Sequence, residues 1–263
     1  MTNYTHGHHQ SVLKSHRWRT IENSAAHLVP RLTPEDELLD IGCGPGTLTC
    51  DLAERVRRVT AVEPTEEALD LCRAEAERRG VSTIDFVVAD VHDLSFDDNS
   101  FDVVHAHQVL QHVADPVLAL TQMRRVCRPG GTVSVRESDY HGFVWYPESA
   151  SLTRWMELYQ RIARSNGGEP DAGRMLLAWA NEVGFTDVTY TSSTWCHATP
   201  AERDHWGGMW AERVLESKLA EQALAGGFAD RAELEDISAA WLDWAANPDA
   251  TISLVHGEIL ATV

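Results

Sequence analysis

Between Glu37 and Arg136 short apolar runs alternate with stretches of helical periodicity, and few architectures accept that pattern. Strands are expected at Glu37–Ile41, Arg58–Glu63, 84–89, 101–105 and 132–136. Helices are expected between them. One covers 47–56, with Leu48, Leu52 and Val56 on one face. A second covers 65–79, capped by Thr65, with Glu66 and Glu67 in its first turn and Gly80 after its last two arginines. A third runs from the Asp115-Pro116 cap to Cys127, where Arg128-Pro129-Gly130-Gly131 breaks it. Repeated strand–helix–strand units imply a parallel sheet covered on both faces. Such open sheets bind ligands outside the carboxyl ends of their strands.

The flanks differ. Residues 11 to about 30 read as a helix capped by Ser11, with Trp18, Ile21, Ala25 and Leu28 at helical spacing. After the alternating region, helices are expected at 148–165, 171–183, 200–225 and 231–246, and strands at 185–190 and 252–259. Trp206, Trp210, Trp241 and Trp244 fall between the last two strands. They are either the core of a helix pair or the underside of a lid over an apolar ligand. The expected fold class is α/β, a doubly wound sheet of about seven strands, with an N-terminal helical arm and a helical cap inserted before the last strand. The divisions are 1–30 for the arm, 31–145 for the ligand-binding core, and 146–263 for the rest of the sheet with a cap at about 200–247.

With 40 acidic against 22 basic residues the formal net charge is −18, which repels phosphate backbones and anionic lipid. Nucleic-acid and membrane partners are therefore not expected, and no apolar run is long enough to span a bilayer. Cys43, Cys50, Cys72, Cys127 and Cys196 are odd in number and form no Cys-x-x-Cys pair, which suits reduced thiols in the cytoplasm. A homo-oligomer is left open.

Gly42-Cys43-Gly44-Pro45-Gly46 follows the first strand and opens a helix. Its glycines permit a tight turn and a close ligand, and helix N–H groups favour a small anion there. Alone, such a loop is a weak signal. Glu63 ends the second strand, where a carboxylate can accept both hydroxyls of a ribose. Asp90 and Gln108 follow the third and fourth strands. Two other readings stand beside this one: an NAD-linked oxidoreductase, and a non-catalytic nucleotide-binding protein. The dinucleotide fingerprint wants Gly-x-Gly-x-x-Gly/Ala, whereas here the third glycine comes one place early and Thr47 follows it.

Leu38–Thr47 (LLDIGCGPGT) resembles the first motif of class I S-adenosylmethionine (SAM)-dependent methyltransferases. Ala61-Val62-Glu63-Pro64, Val88-Ala89-Asp90-Val91, FDVVHAHQVLQHV at 101–113 and Arg125–Gly131 resemble the later motifs, so the likeness covers more than a third of the chain. The nearest type is the ubiquinone/menaquinone methyltransferase-like group. The arm, with His8-His9-Gln10-Ser11 and Ser15-His16-Arg17-Trp18-Arg19, is similar to fungal and actinomycete natural-product methyltransferases, a group with gliotoxin S-methylating and indole C-methylating members.

The resemblance implies a Rossmann-like sheet with an antiparallel last strand. It also implies SAM as cofactor, S-adenosylhomocysteine (SAH) as product, and a small-molecule acceptor in specialised metabolism. That acceptor is methylated either at carbon on an indole-like aromatic or at the sulfur of a thiol. By position, Gly42 and Gly44 hold the methionine end, Asp40 orders the loop, Glu63 takes the ribose and Pro64 flanks the adenine. Asp90 and Val91 read the adenine edge, and His107 and Gln108 pass the methionine moiety. Tyr4 and Arg19 reach the cofactor if the arm folds over it; otherwise Arg19 is an exposed helix arginine.

Transfer from a sulfonium has a neutral leaving group and needs no acid, only alignment and in some cases a base. Histidine suits that task near neutral pH. Of thirteen histidines, His8, His9 and His141 lie where the cofactor face is expected, with Tyr4 and Tyr140 as further candidates. His112 is expected to pack or cap. No zinc-type Cys/His spacing is present, so no metal site is assigned, although Glu137 and Asp139 stand where a metal-dependent enzyme needs carboxylates.

Overall fold

The computed structural model describes residues 18–263. The readings placed on Tyr4, His8, His9 and the Ser11 cap fall outside the described residues.

The strands are β1 (Glu37–Ile41), β2 (Arg58–Glu63), β3 (Ile84–Val88), β4 (Phe101–His107), β5 (Cys127–Ser138), β6 (Val144–Tyr146), β7 (Asp187–His197) and β8 (Thr251–Thr262). They form one sheet in the order β3-β2-β1-β4-β5-β8-β6, with β7 on the other edge of β8. The first five strands pair in parallel, and β8 runs antiparallel to β5, β6 and β7. From β1 the chain winds one way to β3 and the other way to β5. The crevice outside the ends of β1 and β4 is thus the switch point where such sheets take a ligand.

The helices are α1 (Ile21–Ser24), α2 (Thr47–Ala53), α3 (Glu66–Arg79), α4 (Pro116–Val126), α5 (Ala150–Ser165), α6 (Ala172–Val183), α7 (Pro200–Glu216), α8 (Lys218–Ala225) and α9 (Arg231–Ala246). The expected caps are present: Thr65 Oγ1 accepts from Ala68 N at 3.3 Å, and Asp115 Oδ1 accepts from Leu118 N at 2.8 Å. Two expected helices are corrected. The arm helix does not run through to Pro30. Thr20 starts α1 with a capping box to Asn23, Ala25 ends it, and Val29–Arg31 is a separate 3-10 turn. The stretch 200–225 is broken at Ser217, whose Oγ donates to Arg213 O at 2.7 Å and accepts from Leu219 N at 3.2 Å, ending α7 and starting α8. The late strands are longer than expected because β7 is rich in Thr and Ser rather than in apolar residues, and β6 is too short to leave a periodic signal.

The tryptophans resolve into a core. Trp155 of α5, Trp210 of α7 and Trp241 of α9 are fully buried. Trp155 meets the other two rings edge-on at 4.7 and 4.9 Å. The cluster also takes in Tyr140, Phe143, Leu152 and Trp195, so the helical layer includes α5 and is anchored on the sheet. Among the described residues no helix is long and apolar enough to cross a membrane.

Candidate active site

The glycine loop is built at the end of β1. Gly42 and Gly46 have φ of +70° and +82°, the left-handed region that a side chain resists. A Cβ at Gly42 lands 2.4 Å from Val109 Cγ2, and one at Gly46 lands 2.6 Å from Cys72 Sγ. Only glycine lets the loop lie this close to its neighbours. Asp40, buried beneath it, accepts from Thr49 Oγ1 of α2 and pairs with His105 Nδ1 of β4, each at 2.7 Å. The carboxylate therefore ties β1, α2 and β4 together under the loop.

Glu63 ends β2 and turns back to the loop, where Oε1 accepts from Gly44 N at 2.6 Å. Burial pushes its carboxyl up to about 7, the Gly44 bond opposes this, and the charge of Asp40 adds to it. At the end of β3, Asp90 accepts from His92 N at 2.9 Å and lies 2.7 Å from His92 Nδ1. The His92 backbone bond, above all, holds its carboxyl below the usual range. Val91, after β3, is buried, and Pro64, after β2, is exposed.

Arg19, Asp40, Gly42, Cys43, Thr47 and His107 line one cleft. Arg19 belongs to the segment before α1, so the described end of the arm does reach the loop. It is not a simple exposed helix arginine: its Nη2 donates to Gln108 Oε1. The Gln108 amide donates to Ser138 Oγ at 2.8 Å and faces His256 Nε2 at 3.0 Å. Gln108 itself sits at φ +56°. His107 is 5% exposed and, among the described residues, neither ring nitrogen has a hydrogen-bond partner. Burial first, then the charges of Arg19 and Arg136, push its pKa well below the ordinary histidine value.

Beyond His107 stands an aromatic wall that sequence reasoning missed. The Trp195 ring lies 5.8 Å from His107, 4.4 Å from His256 and 5.6 Å from Trp18. The Arg136 guanidinium lies over Trp195 at 4.8 Å while its Nε donates to Glu258 at 3.1 Å. His197 stacks on Trp206 at 4.8 Å and meets Trp18 at 5.0 Å. Strand alternation is the signal that points to them. Trp195 and His197 of β7, and His256 and Glu258 of β8, each stand two apart and so share a face.

The other candidates fall elsewhere. Asp171 holds His141 through its backbone N–H at 2.9 Å and its Nδ1 at 2.5 Å; the His141 side chain is 56% exposed and does not line the cleft. Burial pushes the Asp171 carboxyl up, but bonds from Gln160, His141 and Arg164 outweigh this and hold it at about 2. Tyr140 is buried, stacked on Tyr159 at 4.0 Å. Glu137 is not available to a metal: it accepts from the backbone N–H groups of Val109, Leu110 and Gln111 at 2.9, 2.7 and 3.3 Å. Asp139 is engaged by Arg174 and Gly142. Among the described residues no group of three His, Cys, Asp or Glu could hold a metal ion.

A family model described as a methyltransferase domain matches residues 39–135. An uncharacterized methyltransferase of Schizosaccharomyces pombe is 31% identical, over 98% of this chain and 95% of that protein. The probable methyltransferase ltbC of Aspergillus luteorubrus is 28% identical over 98% and 96%. Among solved structures, the [4+2]-cyclase SpnF shares the fold with a TM-score of 0.53 and 22% identity, covering 94% of this chain and 80% of that one.

Proposed function

The chain belongs to the class I SAM-dependent methyltransferases, and from that premise we propose that it methylates a small, largely apolar acceptor seated against the Trp18–Trp195 wall. Family membership removes the oxidoreductase and the non-catalytic readings. The acceptor we favour is either an indole-like aromatic, methylated at carbon, or a thiol, methylated at sulfur, in specialised metabolism. The observation that carries this is the position of the wall: aromatic rings begin where the glycine-loop cleft ends, with His107 at the join. Flat aromatic faces suit an apolar ring or sulfur, and the Arg19 and Arg136 guanidinium groups already over Trp195 repel a further cation.

The residues fit the cofactor. Bound SAM supplies an electrophilic methyl group on a sulfonium. We assign the backbone of Gly42 and Gly44 to its methionine end, with Asp40 holding that loop in place through Thr49. Arg19, fixed by Gln108, is assigned to the carboxylate. Glu63 is assigned to the ribose hydroxyls, exchanging its Gly44 bond for them or sharing it. Asp90, Val91 and Pro64 are assigned to the adenine. Tyr4, His8 and His9, outside the described residues, remain candidates: Tyr4 for the cofactor, and all three for the acceptor's proton. We take the setting to be the cytoplasm, in keeping with five unpaired cysteines.

Incubation with SAM and, separately, indole and benzyl mercaptan, with SAH and product masses read by mass spectrometry, tests the reading. A mass gain of one methyl group on either probe supports it. SAM binding without transfer to any aromatic or thiol probe overturns the acceptor assignment.

A further inference from the structure

Four histidines share one face of the sheet: His105, His107, His197 and His256. His105 is paired to Asp40 through Nδ1, and His256 uses Nδ1 on Leu254 O at 2.9 Å and Nε2 on the Gln108 amide. Among the described residues neither His107 nor His197 has a hydrogen-bond partner on either nitrogen, but His197 is stacked between Trp206 and Trp18, and of these two only His107 lines the glycine-loop cleft. A buried imidazole with both nitrogens unpartnered costs about 1–3 kcal/mol per unmet group, so a ligand is the natural partner.

With Arg19, His107 borders both the glycine-loop cleft and the aromatic wall. Arg19 keeps its proton at every working pH and cannot accept another. We propose that His107 is the general base of the reaction: a ring nitrogen takes the acceptor's proton as the methyl group is transferred. This rests on the acceptor reading above and deepens it, because it requires an acceptor that enters with its proton: a neutral S–H, N–H or aromatic C–H.

In the balanced step the acceptor atom gives an electron pair to the methyl carbon, and the carbon–sulfur pair stays on sulfur. The acceptor's bond to hydrogen breaks, its pair stays on the acceptor, and the proton moves to His107 and then to water as the product leaves. The surroundings keep the base ready. Burial, Arg19 from the arm segment, Arg136 from β5, His256 from β8 and His105 on its own strand all favour the neutral ring, with Asp40 of β1 the carboxylate lining the same cleft. A second positive charge is disfavoured there until the sulfonium charge is consumed.

The test compares wild type with His107→Gln and His107→Asn, both checked for folding by circular dichroism. Glutamine keeps a hydrogen-bonding group near the imidazole Nε2 but cannot carry the proton. A base predicts SAM affinity within roughly twofold of wild type in both variants. It also predicts kcat toward benzyl mercaptan down by about 100-fold or more at neutral pH in both. The wild-type rate should be flat over roughly pH 6 to 9, and the variant rates should rise about tenfold per pH unit as the thiol ionises unaided. Recovery of full rate in His107→Gln overturns the proposal in favour of a hydrogen-bonding role. Loss of SAM affinity with kcat retained makes His107 a cofactor contact instead. A wild type that turns over neither benzyl mercaptan nor indole overturns the acceptor reading, and the affinity measurements on the variants still judge whether His107 is a cofactor contact.

Discussion

Gln108, at the end of β4, faces Nε2 of His256 on β8 at 3.0 Å and offers its amide hydrogen to it. The Nδ1 of His256 lies 2.9 Å from Leu254 O, which places the imidazole proton on Nδ1 and leaves Nε2 as the acceptor. That orientation turns the Gln108 carbonyl toward Arg19. Replacing His256 with Phe should therefore weaken SAM binding through Arg19 by about 1–2 kcal/mol. The effects of Gln108→Leu and Arg19→Met should be far from additive, since both act on one contact. Calorimetric dissociation constants for the two single variants and the double variant check this. Additive losses would uncouple the pair.

Glycines 46 and 80 provide a matched pair. Both have positive φ, +82° and +69°, but a Cβ at Gly46 meets Cys72 whereas one at Gly80 meets nothing within 4 Å. Gly80→Ala should cost about 1–2 kcal/mol for the left-handed backbone alone. Gly46→Ala should cost clearly more, because Cys72 and its helix must shift. Urea unfolding midpoints of the two variants decide it; equal costs would mean the loop relaxes freely.

The assignment of Glu63 to the ribose predicts that SAM binding is pH-dependent. Burial raises its carboxyl from 4.5 to about 7. Its contribution to the stability of the protein without cofactor is fully present below the unfolded value and is lost as pH rises through the folded one. Relative to wild type, Glu63→Gln should thus gain stability between acid and mildly alkaline pH, by up to about 3 kcal/mol. SAM affinity should run the other way: it should strengthen as pH rises through 7 in wild type, and stay flat in Glu63→Gln. Glu63→Ala should weaken SAM by about 1–3 kcal/mol. Titrations at several pH values check both, and a flat wild-type profile would remove Glu63 from the ribose.

Trp241 has no exposed surface and meets Trp155 and Trp244 edge-on at 4.9 and 5.5 Å. Trp241→Ala should destabilise the fold by about 3–5 kcal/mol, and Trp241→Phe by much less. Thermal melts should show this. A mild effect for alanine would argue for a loosely packed lid instead of a core.

The parallel half of the sheet was legible because its strands carry apolar runs and two of its helices announce themselves with side-chain caps, Thr65 and Asp115. Asp40, Gly42 and Glu63 were legible because local strand ends place them. The wall was not. Trp195, His197 and His256 come from antiparallel strands whose partners lie far along the chain, and β7 carries Thr191, Ser192, Ser193 and Thr194 where an apolar run is the usual sign. The helix expected to run to Pro30 was misread for a local reason: Thr20 caps a short helix that Ala25 already ends. His141 sits close to the predicted strand end, but Asp171 arrives from a different segment and holds it outside the cleft.

The glycine loop and Glu63 together are assigned to SAM. A calorimetric titration of the protein with SAM, repeated in the presence of NADH, tests that assignment most directly. One saturable SAM site that NADH does not displace is the expected result. Tight NADH binding with no measurable SAM binding would contradict it.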